Sequence, residues 1–307
     1  MGKRKIVLLS IAVFLAAVYA VQLAALKKNA VKVLKTDSQI DEILISSKKN
    51  GEIVLKKSGE DWLVGKYKAD SYKAERIADS LSSVKILDTV SRSADGAALA
   101  VYALSDEQAV SAEAKSSGKT VRALEIGKTS VTGSQTYIRA DGAKSVSLAS
   151  GALESLFSSS VSELRSNEVY SLVSTDITAA KLENGAESFC AVCESGAEGE
   201  RTWKIEGLDA DSAKISSWIS EIASLRADEW CRKENDSDTT FQSFGEFEET
   251  AVLEINAGGK TITVRVGKCG DKDSAVCSQS EFPFRISAYT AKSFAKTTAD
   301  FAKSEAE

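Results

Sequence analysis

The sequence predicts an α+β fold, in which one N-terminal transmembrane helix precedes two tandem copies of a mixed α+β module with antiparallel strands and an amphipathic helix. Three observations support this prediction: a long apolar run near the N-terminus, an internal repeat, and alternating apolar and polar residues between the repeated helices. The predicted boundaries are a membrane anchor over residues 1–29, a first repeat over 30–158, a linker over 159–174 and a second repeat over 175–302.

The first predicted element is a signal anchor that crosses the membrane. Basic residues at 3–5 precede an apolar run over residues 6–26, and lysines at 27–28 follow it. At about 1.5 Å per helical residue this run spans about 31 Å, which matches the hydrocarbon core of a bilayer. A cleaved signal peptide is the alternative, because residues 18–20 (Val-Tyr-Ala) resemble a cleavage site. We expect a single-pass protein of the cytoplasmic membrane, with an extracytoplasmic (periplasmic) C-terminal body.

An internal repeat with an offset of 141 residues defines the body of the chain. Trp62 recurs as Trp203, and Asp70 recurs as Asp211. In each copy five apolar positions follow at i, i+3, i+4, i+7 and i+10, which is the buried stripe of an amphipathic helix. They are Ala74, Ile77, Ala78, Leu81 and Val84 in the first copy, and Ile215, Trp218, Ile219, Ile222 and Leu225 in the second. The pattern therefore predicts two equivalent modules, each with its own core.

Each repeated helix has a predicted start and a predicted strand on either side. Asp70 or Ser71 in the first copy can act as the N-cap, as can Asp211 or Ser212 in the second. Their side chains accept hydrogen bonds from the free N–H groups of the first turn. A strand-like segment ends near each tryptophan, and another follows each helix.

The remainder of each copy predicts a hairpin, a closing strand and a short helix. Gly127 recurs as Gly267 at an offset of 140, which is one residue shorter than before. Residues 251–268 alternate apolar and polar side chains around a glycine pair, as two half-buried strands would. The closing strands are predicted at 145–148 and 284–287, and a short helix follows each of them.

Composition excludes several classes of function. Histidine is absent from the chain, which removes Ser-His-Asp and Cys-His catalysis, HExxH zinc sites and a histidine general base. Without the five basic residues that flank the apolar run, the net charge falls from −5 to −10, which disfavours nucleic acid as a partner. Three Gly-Lys-Thr triplets, at Gly118, Gly127 and Gly259, lack the upstream glycine of a phosphate-binding loop, so no nucleotide is expected.

Cysteines are the remaining candidates for chemistry. Cys190 and Cys193 have CxxC spacing, and Cys269 and Cys277 could complete a zinc or redox site. Against this, the segment around Cys190 predicts a strand, in which residues i and i+3 point to opposite faces. We therefore expect structural disulfides or buried thiols, with Cys269 and Cys277 as the favoured pair because a hairpin would bring them close. We predict no catalytic residue and no cofactor.

The order of these landmarks resembles a known bacterial family. A tryptophan, an Ala-Asp helix start and an Ile-Gly-Lys strand end, placed after an N-terminal anchor, are similar to the family known as domain of unknown function 4340. The resemblance covers about residues 38–300, and its Ile-rich opening strand is matched by residues 40–45 and 177–182. The family's aromatic-Gly-Leu-Asp-x-Pro element is matched by residues 102–106, with alanine in place of glycine and without the proline.

This resemblance implies an envelope protein, often encoded beside ABC transporter permeases, ATPases and a gliding-motility-type auxiliary subunit. It implies association with transport and establishes no site chemistry. We therefore expect an accessory interaction protein without catalytic activity, whose partners are permease or auxiliary subunits. Two alternatives stay open: an envelope thiol or zinc protein that uses Cys190 and Cys193, and a module that binds cell-wall glycan.

Overall fold

The computed structural model describes residues 11, 13–19, 31–93, 95–196, 200–233 and 241–303. It is mostly β-sheet, with 47% strand and 21% helix, so the predicted α+β class is wrong. The two amphipathic helices form as expected, but the other α-helices between residues 31 and 303 of the described chain are only four to six residues long. Strands of two to four residues, too short to show a period in the sequence, add to the β content.

The prediction of a single-pass membrane protein is also wrong. No helix in the described part of the chain is long and apolar enough to cross a membrane. Of the predicted anchor over residues 6–26, the structure describes helix at 11 and 13–19, and the other residues of the run lie outside the described ranges. Residues 13–19 form helix α1. The extracytoplasmic location rested on that anchor and loses its support.

The body divides into two compact units, Met1–Ser166 and Asn167–Glu307. The division falls within the predicted linker over residues 159–174. Residues on both sides of the division contribute to the core of their own unit. Leu164 is buried in the first unit, and Tyr170 is buried in the second.

A ten-stranded antiparallel sheet forms the first unit, in the order β1-β6-β10-β9-β8-β7-β2-β3-β4-β5. Its strands are β1 (Lys32–Lys35), β2 (Glu42–Ser47), β3 (Gly51–Ser58), β4 (Asp61–Val64), β5 (Tyr67–Lys68), β6 (Ser83–Ser91), β7 (Val110–Ser116), β8 (Lys119–Thr129), β9 (Gln135–Ala140) and β10 (Val146–Ser150). Its helices are α2 (Ser71–Ser82), α3 (Gly96–Val101), α4 (Leu153–Phe157) and α5 (Val161–Leu164). Helix α2 packs Ala74, Ile77 and Leu81 into the core, as its stripe predicts.

A nine-stranded sheet forms most of the second unit, in the order β14-β13-β12-β18-β19-β20-β21-β16-β17, and β11 pairs with β15 separately. The strands are β11 (Glu168–Ser171), β12 (Ile177–Asn184), β13 (Ser188–Ser195), β14 (Arg201–Ile205), β15 (Ser224–Arg226), β16 (Glu229–Arg232), β17 (Gln242–Ser243), β18 (Glu248–Ala257), β19 (Lys260–Cys269), β20 (Lys272–Cys277) and β21 (Phe284–Arg285). The helices are α6 (Ser212–Ile222) and α7 (Ala288–Lys292), with 3-10 turns at Ser174–Asp176 and Thr298–Phe301.

The two units share one topology. Read from β4, the first sheet runs β4-β3-β2-β7-β8-β9-β10-β6, and the second runs β14-β13-β12-β18-β19-β20-β21-β16 in the same succession. The single strand β6 pairs with both β1 and β10, whereas its counterpart is split into β15, which pairs with β11, and β16, which pairs with β21. The repeat in the sequence is therefore a repeat of structure.

Helix ends repeat as closely as the strands do. Asp70 caps α2 by accepting the Lys73 N–H at 3.0 Å, and Asp211 caps α6 by accepting the Ala213 N–H at 2.9 Å. The backbone N–H of each capping aspartate donates to a carbonyl near the C-terminal end of its unit, Leu164 in one case and Phe301 in the other. The aspartates, rather than the serines after them, are thus the N-caps.

A capping box closes each unit in the same way. The Ser160 backbone N–H donates to the Glu163 carboxylate at 2.7 Å, and the Thr297 N–H donates to Asp300 at 2.8 Å. These backbone hydrogen bonds hold the pKa of Glu163 and of Asp300 below their usual range, because they favour the ionised carboxylate.

Candidate functional site

A cavity of about 400 Å³ lies between helix α7 and the sheet of the second unit. Strands β18 and β19 contribute Ala251 and Val266 to its wall, and the helix contributes Ala288 and Ala291. Phe294 closes the wall just after the helix. Most of the lining is therefore apolar and made of small side chains, and Ala288 is exposed, so the cavity is an open groove at the surface.

The beginning of α7 is fixed by hydrogen bonds. The Ile286 N–H donates to the carbonyl of Asp273 at 3.1 Å, which ties the approach to the helix to strand β20. The Ser287 hydroxyl accepts the Thr290 N–H at 3.0 Å, so that Ser287 is the N-cap.

The end of α7 is fixed as well. The indole N–H of Trp218, on α6, donates to the carbonyl of Ser293 at 2.9 Å, and the Ser293 hydroxyl donates to Glu221 at 3.1 Å. The Asn184 amide donates to the carbonyl of Lys296 at 2.9 Å. Because the segment is held at both ends, α7 cannot move down to fill the space beneath it without breaking these bonds.

Polar groups in the wall are already engaged, with one exception. The Asp273 carboxylate lies 2.8 Å from the Lys268 ammonium, and the side-chain amide oxygen of Asn184 accepts the Ala186 N–H at 3.0 Å. Lys292, on the exposed side of α7, forms no ion pair with any residue that the structure describes. The cavity thus combines an apolar interior with one cation at its rim.

A second cavity of about 330 Å³ lies on the other side of α7, between Tyr289 and strand β15. Tyr170 lies at its base, where its hydroxyl donates to the carbonyl of Ile222 at 2.9 Å. Burial raises the pKa of Tyr170 well above its usual range, so the phenol stays neutral and cannot act as a base. The wall of this cavity has more hydroxyl and charged groups than the wall of the first. The hydrogen bond from Tyr170 to Ile222 holds the tyrosine side chain in place.

The two cysteines of the CxxC pair are free thiols in the structure. Both cysteines lie on β13, as the strand pattern predicts, with Cys190 exposed and Cys193 half-buried. The Arg201 guanidinium donates to the sulfur of Cys193 at 3.1 Å, and partial burial raises the pKa of Cys190. A raised pKa lowers the thiolate fraction that redox chemistry needs.

Cys269 and Cys277 are not brought together either. In the β19–β20 hairpin Cys269 lies opposite Lys272, whereas Cys277 lies opposite Val264. Five residues along a strand separate the two positions by about 16 Å, too far for a disulfide. Two strands, β12 and β18, also lie between Cys269 and the CxxC strand. In the described ranges, no group of three or more potential ligands is arranged to hold a metal ion.

The tryptophans and aspartates that mark the repeat in the sequence have structural roles in the fold. Trp62 and Trp203 are 2% and 4% exposed, and Asp70 and Asp211 cap the helices as described above. Trp230 is also buried, with its ring against Phe284.

The glycines of the Gly-Lys-Thr triplets occupy strands and turns. Gly118 and Gly259 adopt positive φ in the hairpin turns between β7 and β8 and between β18 and β19. Gly127 lies within β8, where an added methyl group would overlap the carbonyl oxygen of Tyr102. Gly267, in β19, faces the carbonyl of Glu248 in the same manner.

Sequence reasoning missed the cavity beneath α7. The only signal in the sequence is the pair of alanines at 288 and 291 in the closing helix of the second copy. Periodicity does not reveal the space beside them, because alanine counts as apolar like the larger side chains of a core.

Comparison with known proteins identifies a family. A family model described as "Domain of unknown function (DUF4340)" matches residues 62–243, from the landmark tryptophan of the first unit to strand β17 of the second. No curated protein and no solved structure matches the chain. The matched range covers more than half of the 307 residues, and the chain therefore belongs to the DUF4340 family.

Proposed function

We propose that this chain is a non-catalytic interaction protein, an accessory component of an ABC-type transport system, and that its second unit carries the contact surface. The observation behind the proposal is the cavity under α7, which is apolar, open and held in place by hydrogen bonds at both ends of the helix. Apolar cavities of this size are typical of binding sites. The link to transport comes from the family resemblance and remains part of the proposal.

The two units have different roles under this proposal. In the first unit α4 buries Leu153 and Phe157 against the sheet, which leaves the helix a structural part of the core. In the second unit α7 buries none of its own residues, although it lies at the equivalent position after the closing strand. The first unit is therefore a scaffold, and the second presents a binding surface.

Affinity capture from cells tests the proposed function. The full-length tagged chain, at its native level, is crosslinked in the cells of its source, purified under denaturing conditions and analysed by quantitative mass spectrometry. We expect permease, ATPase or auxiliary subunits of one ABC-type system to be enriched over an unrelated tagged protein of matched abundance. Failure to enrich any transport component would overturn the proposal.

A further inference from the structure

One segment of the second unit, Thr297–Lys303, lies against the unit in the manner of a bound peptide, and we call it the docked segment. It contains a 3-10 turn, and an isolated β-bridge pairs its Ala302 with Ala210. Among its residues, all of which the structure describes, only Phe301 is buried. One buried side chain therefore anchors the segment.

An aromatic pocket receives the Phe301 side chain. The centroid of its ring lies 5.4 Å from that of Phe189, on β13, and 5.4 Å from that of Trp218, on α6. The rings of Phe189 and Trp218 are 5.6 Å apart, so the three rings pack together. Loss of the Phe301 ring would leave a pocket with aromatic walls, which favours an aromatic or large aliphatic occupant.

Polar groups on both sides of the pocket bind the docked segment. The Asp211 N–H donates to the carbonyl of Phe301 at 2.7 Å, and the Lys214 ammonium donates to the next carbonyl, also at 2.7 Å. Nearer the start of the segment, the Glu187 carboxylate accepts the Thr298 N–H and, at 3.0 Å, the Thr298 hydroxyl. Main-chain hydrogen bonds of this kind give a peptide its affinity, and the side-chain pocket gives specificity.

The first unit holds an equivalent segment, Ser160–Arg165, by equivalent bonds. It buries Leu164, whose carbonyl accepts the Asp70 N–H at 2.8 Å. The Lys73 ammonium donates to the carbonyl of Glu163 at 2.6 Å. Both segments have a hydroxyl residue, an acidic residue three positions later that completes a capping box, and a large apolar residue directly after the acid. Two different sequences thus occupy equivalent grooves, and their shared residues define the pattern that such a groove accepts.

We propose that the groove of the second unit is a binding site for polypeptide segments of this pattern, and that Thr297–Lys303 is its resident, exchangeable ligand. A partner polypeptide that carries a serine or threonine, an acid three positions later and an adjacent leucine or phenylalanine can take its place. The groove is separate from the cavity under α7, so this inference goes beyond the proposed function and does not depend on it.

Exchange requires the docked segment to open while the rest of the unit stays folded. Segments with few buried side chains open locally, at a free energy below that of global unfolding. The docked segment has one buried side chain, whereas β12 buries three and β18 buries four. Opening should therefore release the docked segment before the sheet.

Amide hydrogen exchange of the full-length protein tests this step. When the segment opens, the Asp211 N–H loses the Phe301 carbonyl and becomes free to exchange. We expect lower protection at Asp211 and Asp300 than at Leu253, which is buried on β18 and serves as the control. Equal protection at all three amides would overturn the inference, because the segment would then open only on global unfolding.

A peptide of the docked segment tests replacement directly. Fluorescein-labelled Thr-Thr-Ala-Asp-Phe-Ala-Lys, the sequence of residues 297–303, is titrated with full-length protein, and its anisotropy is measured. Phe301→Ala empties the aromatic pocket and should bind the peptide at least about tenfold more tightly than the wild type, whose attached segment competes at a high effective concentration. A folded Phe301→Ala variant without saturable binding would overturn the inference.

Two controls show whether the pocket selects its occupant. Phe157→Ala removes a buried ring from the first unit, leaves the groove intact and should bind the peptide no better than the wild type. A peptide with alanine in place of its phenylalanine should not bind saturably. If this peptide binds Phe301→Ala as tightly as the original does, the pocket does not select the occupant and the inference is wrong.

A milder change serves if near-ultraviolet circular dichroism shows that Phe301→Ala is unfolded. Thr297→Ala with Asp300→Ala removes the capping box of the docked segment and retains Phe301. This variant should also bind the peptide more tightly than the wild type, because its own segment competes less well. Equal affinities for this variant and the wild type would contradict the inference.

Discussion

Gly127 and Gly267 hold equivalent strand positions at which only a hydrogen atom fits. Each faces a backbone carbonyl, from Tyr102 in the first unit and from Glu248 in the second, rather than a flexible side chain. A backbone oxygen cannot give way without moving its own segment, so these contacts depend on glycine. The steric requirement explains why the repeat retains this residue while many of its neighbours differ.

Gly127→Ala and Gly267→Ala should each lower the free energy of unfolding by about 1–3 kcal/mol, because the new methyl group overlaps the facing carbonyl. Chemical denaturation of the full chain measures the effect. Gly96→Ala is the matched control, since open space surrounds this helical glycine, and it should change stability by less than about 1 kcal/mol. Wild-type stability in both strand variants would contradict the expectation.

Helices α2 and α6 show how much of an element is encoded locally. Their caps, their positions after the tryptophans and the first four positions of each apolar stripe lie on the helices as predicted. The fifth positions, Val84 and Leu225, lie instead on strands β6 and β15. Neither helix has an acidic residue in its first turn that would add to the stabilisation by the cap aspartate. Its side chain is therefore the main local stabiliser of the helix start.

Asp70→Ala and Asp211→Ala should each destabilise the protein by about 1 kcal/mol, through loss of the hydrogen bond to the first turn. Thermal unfolding monitored by circular dichroism provides the measurement. The asparagine variants should retain most of the stability, because the amide oxygen still accepts the bond.

Asp79→Ala is the control for the cap variants, because Asp79 is an exposed acid in the last turn of α2. Its removal should be neutral or slightly stabilising, since an acidic side chain there opposes the helix dipole. Equal losses of stability in the Asp79 variant and in the cap variants would contradict the stabilising role of the caps.

The burial of some strand residues could not be predicted from the sequence. Arg122 lies within an alternating strand, where a charged residue predicts exposure, yet it is 5% exposed. Its guanidinium donates to the carbonyl of Leu81 at 3.2 Å, at the end of α2, and pairs with Asp141. This contact joins residues 41 positions apart, so no local pattern could reveal it.

The candidate site was unpredictable for a related reason. Alanine on a helix face indicates an apolar surface, but the volume beneath it depends on how the helix ends are tied to distant elements. Those ties involve Trp218 and Asn184, far from α7 in the sequence. The repeat and its helices could thus be predicted from sequence, whereas the cavity required the tertiary contacts.

At the scale of the whole molecule, each of the two units forms its own hydrogen-bonded sheets and its own core. In the described ranges, every pairing between the named strands lies within one unit. The aromatic cluster of Phe189, Trp218 and Phe301, with ring centroids 5.4–5.6 Å apart, belongs wholly to the second unit. This arrangement is that of two separately folding domains.

Fragments covering residues 31–166 and 167–303 should therefore each fold alone. We expect a cooperative thermal transition for each fragment, together with near-ultraviolet circular dichroism from its packed aromatic side chains. An unfolded spectrum from either fragment at the temperature where the full chain is folded would contradict this independence.

The anchored ends of α7 have a kinetic consequence. A cavity that its own hydrogen bonds keep open requires no prior rearrangement, so an incoming group meets a surface already in its binding geometry. Entry should then proceed at the rate of productive encounters, and differences among occupants should appear in their residence times. A partner could on this basis be exchanged quickly without any change in the shape of the unit that holds it.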